Sequence, residues 1–166
     1  MFANCVSRVD AFYLKSVAIK AIQEMCSPKN PLVKRQRGNT LAVELAKNVG
    51  EEALDEEPIP FRLISGMCLD TNFLIRLHAA HFFKDYLQAN REELIKGERL
   101  QEVYLPEIYE LVNDEDPQVR IEAIEALLEV LESLDIKSIE EEFTPNLLKA
   151  LENIDRNSEI IERMSK

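Results

Sequence analysis

In the stretch NDEDPQVRIEAIEALLEVLESL, residues 113–134, Asp114 and Arg120 stand six residues apart beside a run of glutamates. Alone, they could form an acid/base pair or a salt-bridged active centre. His78, His81 and Asp85 are a second candidate, because two imidazoles and a carboxylate along one helical face suit zinc. No further residues are in sight to orient them, and at a shift of 44 the histidines align with Glu122 and Glu125 on a polar face. Ordinary surface residues are therefore expected there, with no metal and no other cofactor. Cys5, Cys26 and Cys68 are odd in number and never spaced as C-x-x-C, which fits reduced, packed thiols. No G-x-S-x-G, P-loop, dinucleotide-binding glycine pattern, H-E-x-x-H or Cys/His catalytic set occurs, so no catalytic residue is expected. Lys34, Arg35 and Arg37 in PLVKRQRGNT form the most informative polar cluster. It reads either as solvated helix surface, with Lys34 taking a structural role, or as an anchor for an acidic surface or peptide.

The elements that must position these residues are legible from composition and pattern. With 166 residues, 46% apolar and 31% charged, the chain is expected to be soluble and globular. Residues 1–50 carry eight Lys/Arg against three Asp/Glu, a balance of +5; residues 51–166 carry twelve against twenty-eight, a balance of −16, giving the net −11. An acidic body repels phosphate backbones, so nucleic acid is not an expected partner. No apolar run approaches the roughly 20 residues of a membrane span, so no membrane is expected either. The first residues, MFANCVSRVDAFYLKS, resemble no secretory signal, and a cytoplasmic location is expected, with the nucleus as the alternative.

Helical periodicity recurs along the chain, and strand-type alternation is absent. Ile121, Ile124, Leu127, Leu128 and Leu131 form one apolar stripe; Leu100, Val103, Ile108, Leu111 and Val112 form a second; Leu147, Leu148, Leu151 and Ile154 form a third. Pro28 and Pro31 mark one break, Pro58 and Pro60 another, and Pro117 fits a first helical turn. Pro106 falls inside a helical pattern and is expected to bend it.

These helices repeat. At a shift of 44, Asp70, Ile75, Arg76, Leu77, Ala79, Ala80, Phe83 and Leu87 fall on Asp114, Val119, Arg120, Ile121, Ala123, Ile124, Leu127 and Leu131. At about 42, Val33 and Lys34 fall on Ile75 and Arg76, with Pro28 where the turn aspartate stood and Gly38 where an apolar residue belongs. A fourth unit opens at LLKALENID and places Asp155, Ile160 and Ile161 in the pattern, but ends early, as a piece of a longer array or an end covered by another chain would.

The unit YLPEIYELVNDEDPQVRIEAIEAL resembles a HEAT repeat: proline at Pro106 in the first helix, turn aspartate at Asp114, and Val119–Arg120 opening the second helix. In the second unit Arg62 stands where that proline is expected. The resemblance implies an all-α, right-handed α-solenoid of antiparallel helix pairs, HEAT/armadillo-like, of about three and a half repeats. It implies one domain over 1–166, with repeats near 3–50, 58–90, 99–135 and an incomplete 136–166. It further implies that Asp70 with Arg76 and Asp114 with Arg120 form rungs of a ladder between repeats, each contributing about 0.2–1 kcal/mol.

The wider array is similar to the HEAT regulatory and scaffold subunits of protein phosphatases 2A and 4. That similarity implies a non-catalytic scaffold binding other proteins, a phosphatase catalytic subunit among them, through turns around Pro28 to Pro31, Asp70 to Phe73 and Asp114 to Gln118. Lys34, Arg35, Arg37, Asn72, Glu115 and Gln118 are the candidate partner-binding residues. A nuclear-transport-type HEAT carrier of basic cargo is the alternative that the acidic body favours. A HEAT-like DNA glycosylase would need a basic groove with aromatic side chains, which the acidic body and the absence of tryptophan oppose.

Overall fold

The computed structural model describes residues 17–49, 53–54, 57–95, 99–131, 134 and 136–152. Cys5, Asp155, Ile160 and Ile161 lie outside them. Two compact units divide the chain, Met1–Ala79 and Ala80–Lys166.

In the first unit, α1 (Ile19–Cys26) and α2 (Leu32–Val49) form a hairpin, and α3 (Ile59–Cys68) packs on both. The unit ends in the first turns of α4 (Phe73–Ile95). Its core is Ile19 and Ile22 of α1, Ala42, Val43, Leu45 and Ala46 of α2, and Ile59, Leu63, Ile64 and Met67 of α3. Helix α1 also reaches α3 through Gln23, whose Nε2 donates to the Arg62 carbonyl at 3.3 Å. Between α2 and α3, Ala53–Leu54 pairs antiparallel with Glu57–Pro58. A two-residue ladder is too short to carry an alternating pattern, which is why the periodicity did not announce it.

Pro60 is the second residue of α3. The second unit of the pattern therefore keeps its first-helix proline, two positions earlier than the expected site at Arg62. Alignment from the turn misplaces it because α3 has ten residues where its counterpart α5 has eight.

In the second unit, α4 is interrupted at Asn90 (φ −115°, ψ 16°), whose Nδ2 donates to the Tyr86 carbonyl at 2.9 Å. A π-helical turn, Leu100–Tyr104, leads into α5 (Leu105–Val112), and α6 (Pro117–Val130) packs on α5. A short helical turn (Ile136–Ser138) and a second π-helical turn (Ile139–Phe143) lead into α7 (Thr144–Glu152), which also contacts α5. Phe82, Phe83 and Tyr86 of α4 meet Tyr104. Phe82 stacks on Tyr86 at 5.0 Å between centroids, and Tyr104 stands edge-on to Phe83 at 6.3 Å. All four rings are buried, alongside Leu105, Ile108, Leu111, Val112, Ile124 and Leu127.

Pro106 sits where one helical form gives way to another. It occupies the first turn of α5, directly after the wider π turn in which the Leu105 N–H donates to the Leu100 carbonyl. Proline has no N–H to offer, and its ring crowds the carbonyl four residues back; a π turn just upstream changes which carbonyls are paired. Pro145 repeats the device, following the π turn Ile139–Phe143 at the same offset.

The α6 stripe also differs in detail. Ile124 and Leu127 are buried, but Leu128 is half exposed, and Val119, Ala123, Ala126 and Val130 complete a broader buried face. Leu148 of α7 faces outward as well. The fold is all-α, with successive helices packed as in a HEAT-like helical solenoid.

Candidate functional site

The turns after α3 and α5 are built to one plan. After α3, the Asp70 carboxylate folds back to accept the Asn72 N–H at 2.8 Å, and the Asn72 side chain accepts the Leu74 N–H at 3.1 Å, capping α4. After α5, Asp114 accepts the Asp116 N–H at 2.8 Å, and Asp116 accepts the N–H groups of Gln118 (2.9 Å) and Val119 (3.4 Å), capping α6. One arginine then locks each turn. Arg76 Nη1 donates to the Asp70 main-chain carbonyl at 2.8 Å; Arg120 Nη1 donates to those of Asp114 at 2.8 Å and Glu115 at 2.9 Å. In both turns, then, the arginine reaches the main chain of the segment that the aspartate opens.

The carboxylate–guanidinium rung observed in the first unit joins Asp70 to Arg35, whose Nη1 contacts both carboxylate oxygens. Both residues are buried. Arg35, not Lys34, is thus the counterpart of Arg76 and Arg120. The turn after α1, residues 27–31, is one residue longer than 69–72 or 113–116, which moves the register from 42 to 41. The sequence held a signal for this: at a shift of 41, Gly38 falls on Ala79, and at 44 Ala79 falls on Ala123, three small residues at one buried position. A Cβ on Gly38 would lie 2.8 Å from Met25 Cβ, 2.9 Å from Cys26 Sγ and 3.1 Å from the Cys26 nitrogen, so glycine lets α2 approach the end of α1. Asn30 Nδ2 closes that end, donating to the carbonyls of Glu24 (2.6 Å) and Met25 (3.2 Å).

Lys34 and Arg37 are exposed, with Lys34 Nζ donating to Asn30 Oδ1 at 3.1 Å. The cationic cluster is therefore divided between one buried structural arginine and two surface cations. Asn72 serves as a cap; Glu115 and Gln118 are exposed in the second unit. Val33, Leu69, Phe73 and Leu74, near the Arg35–Asp70 pair in sequence, are exposed apolar side chains, and of these only Phe73 falls within a turn expected to meet a partner.

Cys26 is a half-buried thiol, and the buried Cys68 places its Sγ 3.8 Å from the Ile64 carbonyl. Burial, helped by the nearby Asp70 carboxylate, pushes Cys26 up to about 11, the opposite of an activated nucleophile. His81 is held by Glu122 (Nδ1–Oε2 3.1 Å), and Lys84 bridges to Glu122 at 3.6 Å and to Glu125. The hydrogen bond to Glu125 raises the Lys84 pKa, with the charge of Glu122 acting in the same direction. His81 thus belongs to an α4–α6 polar cluster. Among the described residues, no group of three or more His, Cys, Asp and Glu is placed to hold a metal ion, and no helix is long and apolar enough to cross a membrane.

No curated protein and no solved structure matches the chain. Residues 105–134 match the family model of the HEAT repeat. They span α5, the Asp114–Asp116 turn and α6, and the turn after α3 repeats their hydrogen-bonding plan. Together the match and the repeated turn support a HEAT-repeat protein, and a HEAT repeat suggests a scaffold for protein interaction.

Proposed function

We propose that the chain is a non-catalytic protein-binding scaffold, and that it serves as a regulatory or scaffold subunit of a 2A/4-type serine/threonine protein phosphatase. The observation that carries the reading is the HEAT match at 105–134, on a unit whose aspartates and arginine hold the turn through main-chain partners. A site for chemistry needs groups free to meet a substrate; here the polar groups of the motif satisfy main-chain partners. Contacts with partners are assigned to the turn edges, through Lys34 and Arg37 in the first unit and Glu115 and Gln118 in the second, all exposed.

The test is co-elution with a purified 2A-type catalytic subunit in size-exclusion chromatography. A 1:1 complex is the expected result. Separate elution of the two proteins at micromolar concentration removes the phosphatase assignment and leaves the scaffold reading in place. One observation favours a second reading, a carrier of basic cargo: the balance of −16 over residues 51–166. Titration with a lysine-rich peptide distinguishes it, since binding there should fall steeply with salt.

A further inference from the structure

We propose that the turn edge of the first unit docks a short acidic segment of a partner protein, in which apolar side chains alternate with carboxylates. The proposal rests on the scaffold reading and names the chemistry of its partner.

Half of the eight large apolar side chains exposed among the described residues lie on this one edge: Val33 at 60%, Leu69 at 78%, Phe73 at 37% and Leu74 at 47%. Isolated exposed apolar residues are unremarkable, but a concentration of them at one place marks a binding surface. The fold gathers these. Val33 and Leu69 flank Arg35 and Asp70 in sequence, and the buried ion pair between those two residues fixes the start of α2 against the turn before α4. Val33 and Leu74 hold equivalent positions at the shift of 41, and Phe73 and Leu74 open α4 from the same turn. In the second unit the position of Leu74 is taken by Gln118, so the apolar character belongs to this edge and is not demanded by the repeat.

Charge specifies the occupant. The chain carries −11 overall, yet no acidic residue lies between Glu24 and Glu44, and Asp70 is the sole one between Glu57 and Asp85. Asp70 is buried against Arg35. Lys29, Lys34 and Arg37 are exposed, and these two stretches hold no surface carboxylate to offset them. Val33 and Arg37 stand four residues apart on α2, Lys34 and Arg37 three apart, so cations and apolar surface share one helix face. Cations around an apolar centre match a peptide that brings apolar anchors for the centre and carboxylates for the rim. A phosphate backbone would satisfy the cations and leave Val33, Leu69 and Leu74 in water, which favours the peptide.

The test is selection of a random dodecapeptide library displayed on phage against the immobilised protein. Anisotropy titration of the winning peptide, fluorescein-labelled, follows beside a labelled 20-nucleotide oligothymidine. The expected winners are rich in Asp/Glu and in Leu, Ile or Phe. Their binding should weaken at least about tenfold in Val33→Asp, Leu74→Asp and the Lys34→Glu/Arg37→Glu double variant, and weaken with salt. All four positions are exposed, and unchanged circular dichroism verifies that each variant folds. Winners without acidic enrichment, binding indifferent to these substitutions, or tighter binding of the oligonucleotide overturns the proposal while leaving a scaffold with another surface. Failure to enrich any peptide overturns the proposal and counts against the scaffold reading itself.

Discussion

Replacing Gly38 with alanine should destabilise the protein although alanine is the better helix former. A glycine within a helix ordinarily costs about 1 kcal/mol relative to alanine, so an exposed position would gain that amount. At Gly38 the new methyl would stand 2.8 Å from Met25 Cβ and 3.1 Å from the Cys26 nitrogen. Carbon atoms prefer about 3.5–4.0 Å, so the overlap is roughly 0.7 Å or more. Neither a Cβ nor a main-chain nitrogen can step aside without moving α1, which places the substitution at the upper end of the ~1–3 kcal/mol typical of overpacking. The net expected loss is about 2 kcal/mol, or a Tm lower by about 4–8 °C for a chain of this length. Gly66 is the internal control: a Cβ there meets nothing within 4 Å, and Gly66→Ala should gain about 0.5–1 kcal/mol. Urea unfolding followed by circular dichroism at 222 nm would measure both, with Cm moving down for one and up for the other at unchanged m. A Gly38→Ala variant as stable as Gly66→Ala would refute the close approach of α1 and α2.

The Arg35–Asp70 pair invites a double-mutant cycle. Arg35→Ala and Asp70→Ala should each cost about 3–5 kcal/mol by stranding a buried charge, and the double variant should cost less than their sum. Cys26 should alkylate slowly: with its pKa raised from 9.0 to about 11, its thiolate fraction at pH 8 is about 100-fold lower than that of an ordinary thiol. Peptide-resolved iodoacetamide labelling measures this, and labelling as fast as in unfolded protein would contradict it. Lys84→Met should cost about 0.2–1 kcal/mol at neutral pH. Because the folded-state pKa of Lys84 is raised, its contribution is complete below 10.5 and is lost as pH rises through the raised value, so the gap to wild type should close under alkaline conditions.

Much of the architecture could be read from spacing because the repeat is a spacing phenomenon. Asp70 and Asp114, with Arg76 and Arg120, sit at equal offsets because both turns use four residues and the same capping scheme. The first turn escaped this reading because one additional residue shifts every later position. Lys34 was aligned with the arginines, while Arg35 is the residue that reaches Asp70. Alignment on the small residues Gly38, Ala79 and Ala123 corrects it, since contact between helices tolerates substitution less than a loop tolerates insertion. Pro106 marked an irregularity without giving its form: proline forbids a regular bond upstream but does not dictate that the chain answers with a π turn. The exposed apolar edge was invisible because Val33 and Leu74 look like ordinary members of apolar stripes until their solvent exposure is known.

The central claim is that the turn edges of this helix-pair array exist to hold another protein. Affinity capture from cell extract with quantitative mass spectrometry, comparing the wild type with a variant carrying Val33→Asp, Lys34→Glu, Arg37→Glu and Leu74→Asp, tests it most directly. The account expects one protein recovered in near-stoichiometric amount with the wild type, at least about tenfold less with the folded variant, and restored binding when that protein is purified and added back. Equal recovery by both, or no protein above background with either, would contradict it.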